Sequence, residues 1–200
     1  MFGELDLRIP SALDFATKRL RGLVPASNLP PGGGVTQLVT INASGAASVD
    51  FTTNIDGTYK NYFILGSNIT TSIDAVNLWA TIFAGSWLAT NYNIVAVQAA
   101  ENASAPTNNG SAAATQAVLN GAYQTSSTLP GQVEISFAQP NLSVQFVAAF
   151  KFIATGVAAA LSSVVQGKFR HTSNTSPVTG IRLAPSSGTI TGTFKLFGVN

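Results

Sequence analysis

The sequence predicts an all-β fold: an antiparallel β-sandwich or jelly roll of about ten strands, preceded by a short helical N-terminal arm. Three observations predict it. From residue 35 onward, short runs alternate apolar and polar residues between Gly, Asn and Ser clusters, the period-2 pattern of strands and turns. Before that point the apolar spacing is helical and charge is crowded. Glu4, Asp6, Arg8, Asp14, Lys18, Arg19 and Arg21 are 7 of the chain's 18 charged residues. Between the two regions lies Leu29-Pro30-Pro31-Gly32-Gly33-Gly34, a stiff connector followed by a loose one. The organisation is therefore an N-terminal docking arm over 1–34 and a β-sandwich domain over 35–200.

In the arm, Ser11 is placed to cap a helix, with Asp14 as its capping-box partner three residues on. Leu13, Ala16, Leu20 and Leu23 follow at near-helical spacing as one apolar stripe. Lys18, Arg19 and Arg21 fall in the last turns, where cations complement the helix dipole, and Gly22 and Pro25 end the run. A helix of about 11 residues is marginal alone in water, so the stripe needs a surface to cover it. That surface is either the chain's own sandwich or a neighbouring protein. In the second case Leu13, Ala16, Lys18, Arg19, Leu20, Arg21 and Leu23 are the docking residues, and the three cations meet acidic groups on the neighbour. As a solvated helix end they need no partner.

Beyond the connector, residues 36–43 and 47–53 alternate around Ala43-Ser44-Gly45 and read as a hairpin. Further strands are expected at 59–65, 76–84, 92–97 and 132–138, the last with Val133, Ile135 and Phe137 on one face. Residues 101–116, rich in Asn, Ala, Ser and Gly, read as a long polar loop with a short helix near 112–119. Segments 144–153 and 160–169 are more continuously apolar, as central strands are. Residues 178–183 and 189–199 close the chain.

The composition points toward contact rather than free solution. Hydrophobic residues make up 46% of the chain, ample for a core, but only 9% are charged, against about a quarter in an average soluble domain. Polarity comes from 19 Ser, 21 Thr and 15 Asn. A skin of this kind tolerates close packing against copies of itself, because interface cores are depleted of charge; a secreted β-domain wears the same dress. The net charge of +2 is too small to imply nucleic acid, and the six basic residues after Arg21 are scattered along the sequence. The absence of cysteine excludes a disulfide framework and thiolate metal sites. The opening MFGELDLRIP carries acids early and lacks the apolar run of a secretory signal, and no membrane insertion is expected.

Residues 177–199, PVTGIRLAPSSGTITGTFKLFGV, resemble the closing hairpin of small β-sandwich modules in tailed-bacteriophage virion proteins. The positions that carry the likeness are Thr179, Gly180, Ile181, Arg182, Ser187, Gly188, Ile190, Gly192, Thr193, Phe194, Leu196 and Gly198. Phe197 stands where such modules usually have Tyr, and Thr189 where they usually have Asn. Tyr59-Lys60-Asn61-Tyr62-Phe63-Ile64-Leu65 is similar to an early strand of the same modules, and the arm has no counterpart. The resemblance implies a structural or receptor-facing component of a virion, made in the host cytoplasm.

Signs of chemistry are few. His171 is the sole histidine and reads as an exposed residue at a strand end, without a nucleophile elbow near it. Outside the arm the carboxylates Asp50, Asp56, Asp74, Glu101 and Glu134 could supply a glycosidase pair but carry no flanking signature. No cofactor or metal is expected. Trp79, Trp87, Tyr92 and Tyr123 flank strands, and Trp87, Tyr92 and Tyr123 are the candidate glycan contacts; core packing is the commoner use of such rings. The expected function is thus non-enzymatic: a short tail or baseplate fibre or appendage, homotrimeric, held to other virion proteins by residues 1–34 and contacting a host-surface glycan. The alternatives are a capsid decoration protein and a free carbohydrate-binding β-sandwich module.

Overall fold

The computed structural model describes residues 34–101, 105–120, 125–155 and 162–200. They form twelve strands: β1 (Val35–Ala46), β2 (Val49–Phe51), β3 (Asn61–Thr71), β4 (Leu78–Phe83), β5 (Tyr92–Ala100), β6 (Thr107–Ala114), β7 (Ala117–Val118), β8 (Gly131–Ala138), β9 (Val147–Thr155), β10 (Ser162–His171), β11 (Gly180–Pro185) and β12 (Ile190–Val199). All pairings are antiparallel, in an eight-stranded sheet ordered β1-β12-β3-β8-β9-β10-β5-β6 and a four-stranded sheet ordered β2-β11-β4-β7. No helix occurs among the described residues. The expected arm helix lies outside them.

Period-2 alternation decides which way each strand faces. In β8 the buried positions are Val133, Ile135 and Phe137, with Glu134 outward. In β4 they are Leu78, Ala80 and Ile82, with Trp79 and Thr81 on the other side. Inward residues of both sheets join one core: Phe51, Ile82 and Leu183 from the smaller sheet, Ile64, Phe152, Phe169 and Phe194 from the larger. Each such side chain contributes about 1.5–3 kcal/mol by leaving water. An aromatic chain runs through the larger sheet's share. Tyr62 stacks on Phe137 at 5.3 Å, Phe137 meets Phe146 at 5.4 Å, and Phe146 meets Phe169 at 6.2 Å.

Three expectations need correction. Residues 36–53 are not a hairpin: β1 pairs with β12 and β2 pairs with β11, in different sheets. Both strands carry an inward apolar face, and each satisfies it from an opposite side of the core. Near the end of β1, Gly45 (φ 64°) sits in an irregularity of the pairing with β12, its N–H donating to Thr191 Oγ1 at 3.0 Å, and the chain crosses between the sheets at residues 47–48. The closing segment separates in the same way, β11 into the four-stranded sheet and β12 into the eight-stranded one. Gly188 (φ 72°) lies in that crossover, where a side chain would also meet Ser72 and Ile73. Finally, 107–118 is neither loop nor helix. β6 pairs with β5 and β7 with β4. An edge strand is held by main-chain hydrogen bonds on one side, so TNNGSAAA needs no apolar alternation to stay in place.

Candidate functional site

The outer face of the four-stranded sheet gathers the aromatic and charged residues that sequence reasoning treated separately. Arg182 on β11 lies directly across from Asp50 on β2 and Thr81 on β4. Its Nε donates to Asp50 Oδ1 at 2.8 Å and its Nη2 to Oδ2 at 2.6 Å, a bidentate pair. Burial pushes the Asp50 carboxyl up, but the bonds from Arg182 and the Ser48 hydroxyl outweigh it, and the net shift is downward. The same pair raises Arg182. The guanidinium carbon sits 4.2 Å from the centroid of the Trp87 ring, a cation–π contact. Trp87 also meets Phe83 edge-on at 5.2 Å. It is held there by the turn 84–86, where Gly85 takes φ 79° and Leu88 N–H donates to Ile82 O at 3.0 Å. Trp79 shares this face, with Ala184 and Val118 as its cross-strand neighbours.

Trp87 is therefore half-buried, with Arg182 over the ring and Phe83 against it, and whatever it offers a ligand is the remaining surface. Tyr92 leaves the set of candidate glycan contacts. It is fully buried, its hydroxyl accepting from Ile82 N–H and donating to Leu88 O, both at 2.9 Å. Burial raises that hydroxyl to about 12. The ring faces inward because β5 alternates Tyr92, Ile94 and Ala96 toward the core. Tyr123 and the arm residues Leu13, Ala16, Lys18, Arg19, Leu20, Arg21 and Leu23 lie outside the described residues.

His171 is at a strand end, but buried rather than exposed, since it follows Val165 and Phe169 on the inward side of β10. Its Nδ1 accepts from Asn174 N–H at 3.0 Å, and its ring meets Tyr92 edge-on at 5.0 Å. Burial lowers its pKa, the Thr90 main chain opposing. Four of the five carboxylates hold structure. Asp50 binds Arg182, Asp56 accepts from Thr58 N–H at 3.0 Å, Asp74 from Ser127 N–H at 2.6 Å and Glu101 from Ser162 N–H at 3.1 Å. Asp50 has both oxygens occupied and is not available as an acid or base. Among the described residues no three of His, Asp and Glu come together as a metal site.

The outer face of the eight-stranded sheet is different in kind. One cross-strand row runs Lys195, Leu65, Glu134, Lys151, Gln166, Val97. The next includes Ser136, Ala149, Lys168 and Val95, and Arg170 lies two positions beyond Lys168. Basic residues that are scattered in sequence thus meet here: Lys151, Lys168, Arg170 and Lys195 share a face with a single acid among the described residues, Glu134. Small residues between them leave three adjoining depressions of about 470, 560 and 410 Å³. The first two share Lys151, the last two Lys168 and Val95. Val95 is 62% exposed and Val147 49%. The signal was present in each strand, where each cation stands at an outward position beside buried Phe150, Phe152, Phe169 or Phe194, but only register brings them together.

The chain matches no known family model, and no curated protein or solved structure is detectably similar to it.

Proposed function

We propose that this chain is a non-enzymatic structural protein that works by binding other proteins. Within that class we read it as a component of a tailed-bacteriophage virion. It is a short tail or baseplate fibre or appendage, held by residues 1–34 and carrying the β domain as a homotrimer toward the host surface. The observation that carries the reading is the string at 177–199, in which Thr179-Gly180-Ile181-Arg182 and Ser187 to Gly198 resemble the closing segment of virion β-modules. The jelly-roll reading is supported where the chain alternates between sheets, β1, β3 and β5 in one and the intervening β2 and β4 in the other, while β8, β9 and β10 run on as neighbours in the larger sheet.

Self-association is supported by the sheet edges. β1 runs twelve residues, VTQLVTINASGA, with neither a charge nor a proline, and β6 has neither. Natural edge strands usually carry such blocking residues against pairing with another chain. Engagement of the carboxylates in turns and in the Arg182 pair supports a role without catalysis.

Two measurements test this. Light scattering on the purified chain should give about three times 20.6 kDa; a monomer at every concentration would refute the trimer. Deleting residues 1–30 should leave a folded β domain that no longer enters particles, and normal incorporation would refute the arm. An image of the labelled particle separates a tail position from a capsid one.

A further inference from the structure

We infer that the outer face of the eight-stranded sheet is a docking surface for an acidic, aliphatic polypeptide segment of a partner protein.

The charge distribution is the first ground. Six basic residues follow Arg21 in the sequence, and four of them, Lys151, Lys168, Arg170 and Lys195, stand on this face, with Glu134 as its one acid among the described residues. None of the four cations makes a hydrogen bond or an ion pair among the described residues. Lys168 and Arg170 are two apart on β10, about 7 Å, and Lys151 is a diagonal neighbour of Lys168 at about 7–8 Å. Alternate side chains of an extended peptide repeat at that same spacing, so successive acidic groups on one side of such a segment match Lys168 and Arg170. A second copy of the same face is a poor occupant, because like charges would meet.

The apolar ground is independent. Val95 (62% exposed), Val147 (49%), Val97 (40%) and Leu65 (42%) surround the cations. Glu134, Ala149, Lys151 and Lys168 line the central depression of about 560 Å³ with Val95 and Val97. The neighbouring one of about 410 Å³ is lined by Asn93, Val95, Val147, Lys168 and Arg170. No exposed aromatic ring lines either among the described residues, and the third depression, beside Lys195, holds one half-buried ring, Phe197. Sugars and single-stranded nucleic acids are gripped by stacking on such rings, and phosphate tracking uses more cations than these. Valines interleaved with lysines suit leucine or valine side chains interleaved with carboxylates, a charge-complementary protein surface.

The experiment uses the full chain and fluorescent probes. A random copolymer of glutamate and leucine should bind, and should bind about tenfold more tightly than polyglutamate of equal charge, because the valines add apolar contact. Lys168→Glu and Lys151→Glu should each weaken it by about tenfold, with salt eroding the affinity. Lys60→Glu, the same charge change in the loop before β3, should leave it unchanged. Val95→Ser should lower copolymer binding and spare polyglutamate. Tighter binding of polygalacturonate or oligothymidine would overturn the proposal, as would failure of every probe or indifference to Lys168→Glu. The readout does not depend on the chain belonging to a virion.

Discussion

The two outer faces treat charge in opposite ways. On the four-stranded sheet, Asp50 and Arg182 neutralise each other at 2.6 Å and Trp87 covers the guanidinium. On the eight-stranded sheet, Lys168 and Arg170 make no ion pair among the described residues and stand among exposed valines, and Lys151 has only Glu134 across from it. A pair that is mutually satisfied contributes to stability, whereas unpaired cations contribute little to it and are left to meet a partner. A chain with 9% charged residues thus divides them between holding the fold and presenting a surface.

The comparison breaks most severely if the shared core is lost. Phe169 is fully buried and lies 6.2 Å from Phe146 and 6.3 Å from Phe150 and Tyr92. Phe169→Ala should cost about 3–5 kcal/mol in chemical denaturation and disable both faces together. A smaller effect separates them. Arg182→Ala should cost about 1 kcal/mol, since the pair is a third exposed to solvent, while Lys168→Gln should stay within about 0.5 kcal/mol. Because the folded-state pKa of Asp50 lies below its ordinary 3.8, the Arg182 contribution is present above that pH. It is lost as pH falls through the folded value, so the two stability curves should converge in acid. An equal loss for both variants would dissolve the distinction.

A pH-dependent effect belongs to His171. Its folded pKa is below 6.5 because of burial, so near pH 6 the unfolded chain binds more protons than the native one. Stability should therefore fall as pH drops below 6.5, by no more than about 1.4 kcal/mol per pH unit. His171→Gln should flatten that slope in a pH series of denaturation curves; an unchanged slope assigns it to other groups.

The facing of strands was legible in the sequence, and their pairing was not. QVEISFA reveals which residues turn inward, and the structure follows it at Val133, Ile135 and Phe137. The same period cannot say which sheet a strand joins. β1 and β2 therefore read as a hairpin although they part, and so do β11 and β12. β6 was hidden because TNNGSAAA has no apolar face to betray a strand. Tyr92 and His171 stand beside loops in the sequence, but the parity of β5 and β10 turns both inward. The Arg182–Trp87 contact joins residues from distant parts of the chain, and the cationic face depends on register across six strands. Neither is written in any local stretch.

Because Val35 pairs with Val199, the β domain begins and ends at one corner of its larger sheet. Gly45, near the far end of β1, is about 35 Å away. A fluorescent tag fused after Asn200 would emerge beside the point where the domain starts, and one inserted at Gly45 would report from the opposite rim. With its ends this close, the domain is also suited to circular permutation through a short new linker.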